Sequence, residues 1–135
     1  MKSDLTWTDG GSRLVCVNSG AASAEEFISL IERVASMPGL GSHLEALIDH
    51  TDLDVTKLTA DGIERIAATW IRLFARVSVR AAFVVGSDSP SRYGLTRMFE
   101  ANVAPRSDFE IRVFEKRDEA MAWLVAGDPR PTLPA

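Results

Sequence analysis

VRAAFVVGSDSPSRYGLTRMFEA, residues 79–101, changes character twice. A near-continuous apolar run ends at Gly86, a short polar loop follows, and a helix opens at Pro90. A strand that is apolar at successive positions suits a sheet covered by helices on both faces. Ser89 reads as the helix N-cap and Pro90 as its first residue, where a missing N–H does no harm. Leu95, Met98, Phe99 and either Asn102 or Val103 are expected to point inward. The stretch is one strand–loop–helix unit.

Working outward, the same unit recurs. Downstream, FEIRVFE (109–115) reads as a strand and RDEAMAWLVAG (117–127) as a helix. Upstream, LEALID (44–49) is a short strand ending in Asp49, followed by a polar loop, HTDLDVTKL. TADGIERIAATWIRLFARV (59–77) is the longest helix, with Ile63, Ile66, Ala67, Trp70, Ile71 and Phe74 on its core face. In SAEEFISLIERVASMPG (23–39), Ser23 and Glu26 form a capping box. Phe27, Leu30, Ile31 and Val34 form its apolar stripe, and Pro38-Gly39 ends it. LTWTDGGSRLVCVNSG (5–20) reads as a hairpin, Leu5–Thr8 and Arg13–Val17, turning at Asp9-Gly10-Gly11.

A hairpin, a helix and three strand–helix pairs imply right-handed crossovers. The expected fold is a single α/β domain, with a mixed, mostly parallel five-stranded sheet, an N-terminal hairpin and four helices. The first strand is expected at an antiparallel edge. The domain is expected to span residues 1–127. Residues 128–135, with Pro129, Pro131 and Pro134, read as an extended tail.

Composition narrows the function classes. The 135 residues are 46% hydrophobic and 25% charged, with net charge −4. That balance argues against a nucleic-acid partner bound through overall charge. Cys16 is the only cysteine, which excludes an internal disulfide and a cysteine-based zinc site. Residues 1–11 lack the apolar segment of a signal peptide, and no run is long enough for a membrane span. A reducing cytoplasm is the expected setting.

Ligands of open α/β sheets gather at the carboxyl ends of the strands. Here those ends carry Asn18-Ser19, Asp49-His50, Gly86-Ser87-Asp88 and Glu115-Lys116. Asp49, Ser87 and Lys116 match part of a phospho-acceptor receiver, but Asn18 and Ser19 stand where that chemistry needs carboxylates for Mg²⁺. Asp52 and Asp54 begin like a calcium loop, which then fails at Lys57 and Ile63. His43 and His50 lack metal-ligand spacing. Cys16, inside an apolar strand, reads as an inert core thiol. No nucleophile elbow and no Gly-rich phosphate loop is present. Pro90 and Asp88 also make the third helix a poor anion site. Arg92, a cation in the first helical turn, is unfavourable against the helix dipole unless it meets Asp88 or a partner. Arg65, Arg72, Arg76 and Arg80 form a basic row, ordinarily a solvated face.

The segments RAAFVVGSDSPSRYGLTRMFEA and FEIRVFEKRDEAMAWL together resemble the SpoIIAA-like family of STAS/SEC14-type domains. The matching elements are Val84 to Gly86, Tyr93-Gly94, Met98-Phe99, Glu110 to Phe114, and Ala120 to Leu124. The hairpin and LIDHTDLD also suit it, so the likeness runs over the whole chain. It implies a fold and no chemistry. Related anti-sigma-factor antagonists are phosphorylated on a serine at a helix start. The corresponding TADG (59–62) has Ala60 or Asp61 there, and Thr59 serves as a helix cap.

The expectation is therefore a non-enzymatic STAS-like regulatory or protein-interaction module without a cofactor. The alternative, implied by SEC14-type relatives, is a carrier or sensor of a lipid or other apolar ligand, with Trp70, Phe74, Phe83, Phe99 and Trp123 as apolar wall; the same five residues read first as the ordinary core of a small domain. The candidate rim for a partner or ligand is Asp49, His50, Asp52, Thr59, Ser87, Asp88, Arg92 and Tyr93. A homodimer paired through the edge hairpin is left open.

Overall fold

The computed structural model of the chain describes residues 1–8 and 13–127. The hairpin turn at Asp9-Gly10-Gly11 and the Pro-rich tail lie outside the described residues. The elements run β1 (Lys2–Thr8), β2 (Arg13–Ala21), α1 (Ala24–Ala35), β3 (His43–Asp54), α2 (Ala60–Leu73), β4 (Ser78–Val84), α3 (Pro90–Val103), a 3₁₀ turn (Ala104–Arg106), β5 (Glu110–Phe114) and α4 (Arg117–Ala126). The capping signals act as expected. Ser23 and Glu26 close a capping box on α1, Thr59 accepts from Gly62 N–H on α2, and Ser89 accepts from Arg92 N–H on α3.

The five strands lie in sequence order, β1-β2-β3-β4-β5. β1 pairs antiparallel with β2 and the other pairings are parallel. This order dictates the layers. Right-handed crossovers that always step to the next strand deposit their helices on the same face. Thus α1, α2 and α3 share one core with Leu14, Cys16, Ala46, Ile48, Ala81 and Phe83 of the sheet. Only α4, which follows the last strand, is free of that rule. It covers the opposite face, packing Ala120 and Leu124 on Val15, Leu47, Ala82 and Val84. Both faces of β4 are buried, as its unbroken apolar run requires.

Three details depart from the sequence reading. β3 does not end at Asp49 but continues to Asp54, because β2 also runs on to Ala21 and offers it a backbone partner. Between the Val17–Asp49 and Ser19–Asp52 pairings, β2 advances two residues while β3 advances three. This is a bulge, and the Asp49 carboxylate accepts from Thr51 N–H at 3.0 Å within it. Trp123 belongs to the α4 face, stacked with Phe114, and not to the wall formed by the other aromatics. Met98 is 38% exposed while Val103 is fully buried, so the inward face of α3 runs through Thr96, Phe99 and Val103.

One ten-residue helix does not cover the whole second face. The N-terminal ends of the parallel strands there carry a charge ladder. Arg13 pairs in register with Glu45, Glu45 with Arg80, and Arg80 with Glu110. Arg13 Nη2 lies 2.7 Å from Glu45 Oε2, with the two side chains 5% and 7% exposed. Arg80 binds Glu110, donates to the Trp123 carbonyl at 2.8 Å, and lies over the Trp123 ring at 3.9 Å. It therefore joins sheet to helix and is no part of a solvated arginine row. Arg65 of that row pairs with Glu25 of α1 at 2.9 Å. Gly127, after α4, lies so close that a β-carbon would overlap the Arg80 guanidinium.

Removing one member of a buried ion pair strands the other charge, whereas an exposed pair contributes little. Glu45→Ala is expected to lower unfolding stability in urea by about 3–5 kcal/mol. Glu110→Ala, whose carboxylate is 60% exposed, is expected to cost under about 1 kcal/mol. Equal losses would contradict this ordering.

Candidate functional site

The eight rim residues do not form one cluster. Asp49 and His50 are neighbours in sequence but lie on opposite faces of β3. Asp49 is on the α4 side, where its carboxylate accepts from the Thr51 hydroxyl at 2.6 Å and faces Arg117 at 3.6 Å. His50 is turned into the helix-covered core and is buried, not presented on the rim. Asp52, Thr59 and Ser87 are exposed. Among the described residues no three metal-binding side chains converge.

Arg92 and Asp88 are brought together. The Arg92 guanidinium pairs with Asp88 and donates to Val85 O at 2.9 Å and to Leu53 O at 3.3 Å. Its side chain is 11% exposed. One cation thus satisfies carbonyls at the ends of β3 and β4 and ties both to the first turn of α3. That offsets its poor place against the helix dipole. Gly86 serves the same clasp. It has φ +74°, and a β-carbon there would meet Asp88 Oδ1 at 3.0 Å. Tyr93, next along the helix, is 45% exposed.

Beneath α1, α2 and α3 lies a cavity of about 90 Å³. Its walls are predominantly apolar, including Phe27, Ile48, Ile66, Trp70, Phe83 and Phe99. The polar residues lining it are Asn18, His50 and Thr96, besides the Cys16 thiol. Asn18 is 1% exposed and sets its amide nitrogen 2.9 Å from His50 Nε2. The imidazole sits between Phe27 and Phe83, with ring centroids at 5.5 and 5.7 Å. Cys16 donates to Asn18 Oδ1 at 3.4 Å. Burial pushes the thiol up to about 11, against the opposing effect of the Asn18 hydrogen bond. It is therefore protonated and a poor nucleophile at neutral pH.

The sequence placed Trp70, Phe74, Phe83 and Phe99 correctly in this wall, but missed the Asn18–His50 pair. Both sit at strand ends, which suggests solvent. Strand alternation from Ile48 turns His50 into the core beside Asn18, and the bulge that follows the Val17–Asp49 pairing brings Leu53 back to the same face. A readable signal did exist, since Ile48, His50 and the helix-facing strand residues of β2 alternate in phase.

Burial holds the His50 imidazole at about 4, below its ordinary 6.5; Asp49 opposes that shift and Arg92 adds to it. The unfolded chain therefore binds the extra proton first. His50 contributes no penalty above pH 6.5, and stability falls as pH drops from 6.5 through 4. The full loss is about 3 kcal/mol, at 1.4 kcal/mol per unit. His50→Gln keeps an acceptor for Asn18 and should flatten the stability slope between pH 6.5 and 4.5. Identical slopes in wild type and variant, by urea unfolding, would contradict this burial.

No family model matches the chain, and no curated protein is recognisably similar to it. Among solved structures it is similar to an uncharacterized protein of the DUF3478 family from Shewanella loihica PV-4, described as having a SpoIIAA-like fold. The two share 20% identity over 91% of this chain and 92% of that one, with a TM-score of 0.58. At that identity the likeness speaks for architecture alone, and the architecture of this chain is a SpoIIAA-like fold.

Proposed function

We propose that the chain is a non-enzymatic regulatory module whose input is a small apolar molecule held in the cavity. The observation that carries this reading is the cavity itself. A space of about 90 Å³ among core side chains forgoes packing contacts and withholds up to about 2 kcal/mol of stability, the closed-cavity figure at roughly 24 cal/mol per Å³. One larger side chain would recover that. A space kept open at such a cost, walled by aromatic and aliphatic groups with a few polar ones, has the make-up of a ligand site.

Its size sharpens the alternatives. Sites for drug-sized ligands run to roughly 300 Å³ or more, so an acyl chain does not fit beneath the helices as they stand. The lipid-carrier reading is thereby disfavoured against a sensor of a much smaller molecule. α3 supplies the output. It lines the cavity with Leu95, Thr96 and Phe99 and presents Tyr93 and Met98 outward. A shift of Leu95 or Phe99 on occupancy moves the surface that a protein partner would read. The groups lining the cavity are poorly suited to catalysis on the ligand: the buried thiol is raised to about 11, and an imidazole lowered to about 4 is a weak base.

Cyclopentane is a suitable probe, being compact and apolar. It is expected to raise the thermal unfolding midpoint by several degrees near saturation, through preferential binding to the folded state. Ala46→Val, which adds volume at the cavity wall, is expected to raise the midpoint by itself and to abolish the cyclopentane increment. A wild-type midpoint that does not respond to cyclopentane would overturn the proposal.

A further inference from the structure

The cavity has a polar end, where buried donors are left without an acceptor. The Cys16 thiol gives its hydrogen to Asn18 Oδ1. That contact makes Oδ1 the acceptor end of the amide and turns Nδ2 toward His50 Nε2. With an amide donor facing it, Nε2 accepts, and the neutral ring carries its proton on Nδ1. A primary amide has two N–H groups, and His50 uses one. Among the described residues, no hydrogen bond takes up the second Asn18 amide hydrogen or the His50 Nδ1–H. Thr96 has already given its hydroxyl hydrogen to the Arg92 carbonyl at 2.7 Å.

We infer that the cavity selects a small uncharged molecule bearing one hydrogen-bond acceptor, of the ketone, aldehyde or ester class, whose oxygen takes the Asn18 amide hydrogen that His50 leaves free. This rests on the cavity reading above and adds the chemistry of its ligand. A buried amide hydrogen with no acceptor to answer it favours an oxygen lone pair as its partner. Both donor residues are more than nine-tenths buried, so water competes poorly for them. Charge is excluded by the surroundings. None of the residues lining the cavity is ionised at neutral pH. The nearest charges, Asp49 and Arg92, are engaged with Arg117 and Asp88. An ion taken into that wall would lose its hydration without gaining a partner.

A matched set of probes tests the assignment: cyclopentanone, cyclopentane and the cyclopentylammonium ion. Each is titrated into ¹⁵N-labelled wild-type chain and into Asn18→Leu. Cyclopentanone should move the Asn18 side-chain amide and His50 ring resonances saturably. Cyclopentane should perturb the apolar lining without shifting the Asn18 amide, and the ammonium should do neither. Asn18→Leu should weaken cyclopentanone about tenfold, the equivalent of one neutral hydrogen bond, and leave cyclopentane within about twofold. Should that variant fail to fold, the wild-type amide and ring shifts decide alone. If cyclopentane binds while the ketone leaves the Asn18 and His50 resonances unmoved, the acceptor inference fails and the cavity reading stands. If neither binds, both fail.

Discussion

The order of the strands is the constraint on which this molecule depends. Because each parallel strand lies beside its predecessor, three right-handed crossovers must share one face of the sheet. Three helices over so few strands make a thick, aromatic-rich core, and the fourth helix is left to cover the other face alone. Both distinctive features follow. On the crowded side α1, α2 and α3 border a space that the side chains do not fill. On the sparse side the sheet extends past α4, and its strand beginnings are closed by alternating Arg and Glu side chains.

Polar groups perform most of the joining between layers. Arg92 gathers the ends of β3 and β4 into the first turn of α3. Arg80 gathers the edge strand and the last turn of α4. In both cases a guanidinium takes up backbone carbonyls as well as a carboxylate, which a lysine ammonium cannot do in the same geometry. Arg92, one of the candidate rim residues, closes a structural clasp with Asp88 and the strand-end carbonyls. Tyr93 remains outward on the same helix.

Much of the fold was legible because its signals are local. The unbroken apolar run 81–85, the Ser89-Pro90 cap and the Ser23/Glu26 box each specify an element through nearest neighbours. The length of β3 was not, because HTDLD is strand only by virtue of pairing with Ser19–Ala21, a long-range contact invisible in polarity. The charge ladder left a trace that is clear only in retrospect. Each parallel strand carries a charged residue at the start of its apolar run: Arg13, Glu45, Arg80 and Glu110. Reading these as a row requires the register, which no single strand encodes. The cavity was less legible still. Trp70, Phe83 and Phe99 announce a core, but whether a core is full depends on how side chains meet and not on which are present.

The central claim is that a largely apolar space persists among those side chains. Xenon enters apolar cavities of this kind and is seen directly by diffraction. Crystals of the chain under xenon pressure should show one ordered xenon atom in contact with residues of the cavity wall, Phe27, Phe83 and Phe99 among them. A fully pressurised crystal without xenon in that wall would mean that the core is closed, and the account of a ligand-responsive module would be contradicted.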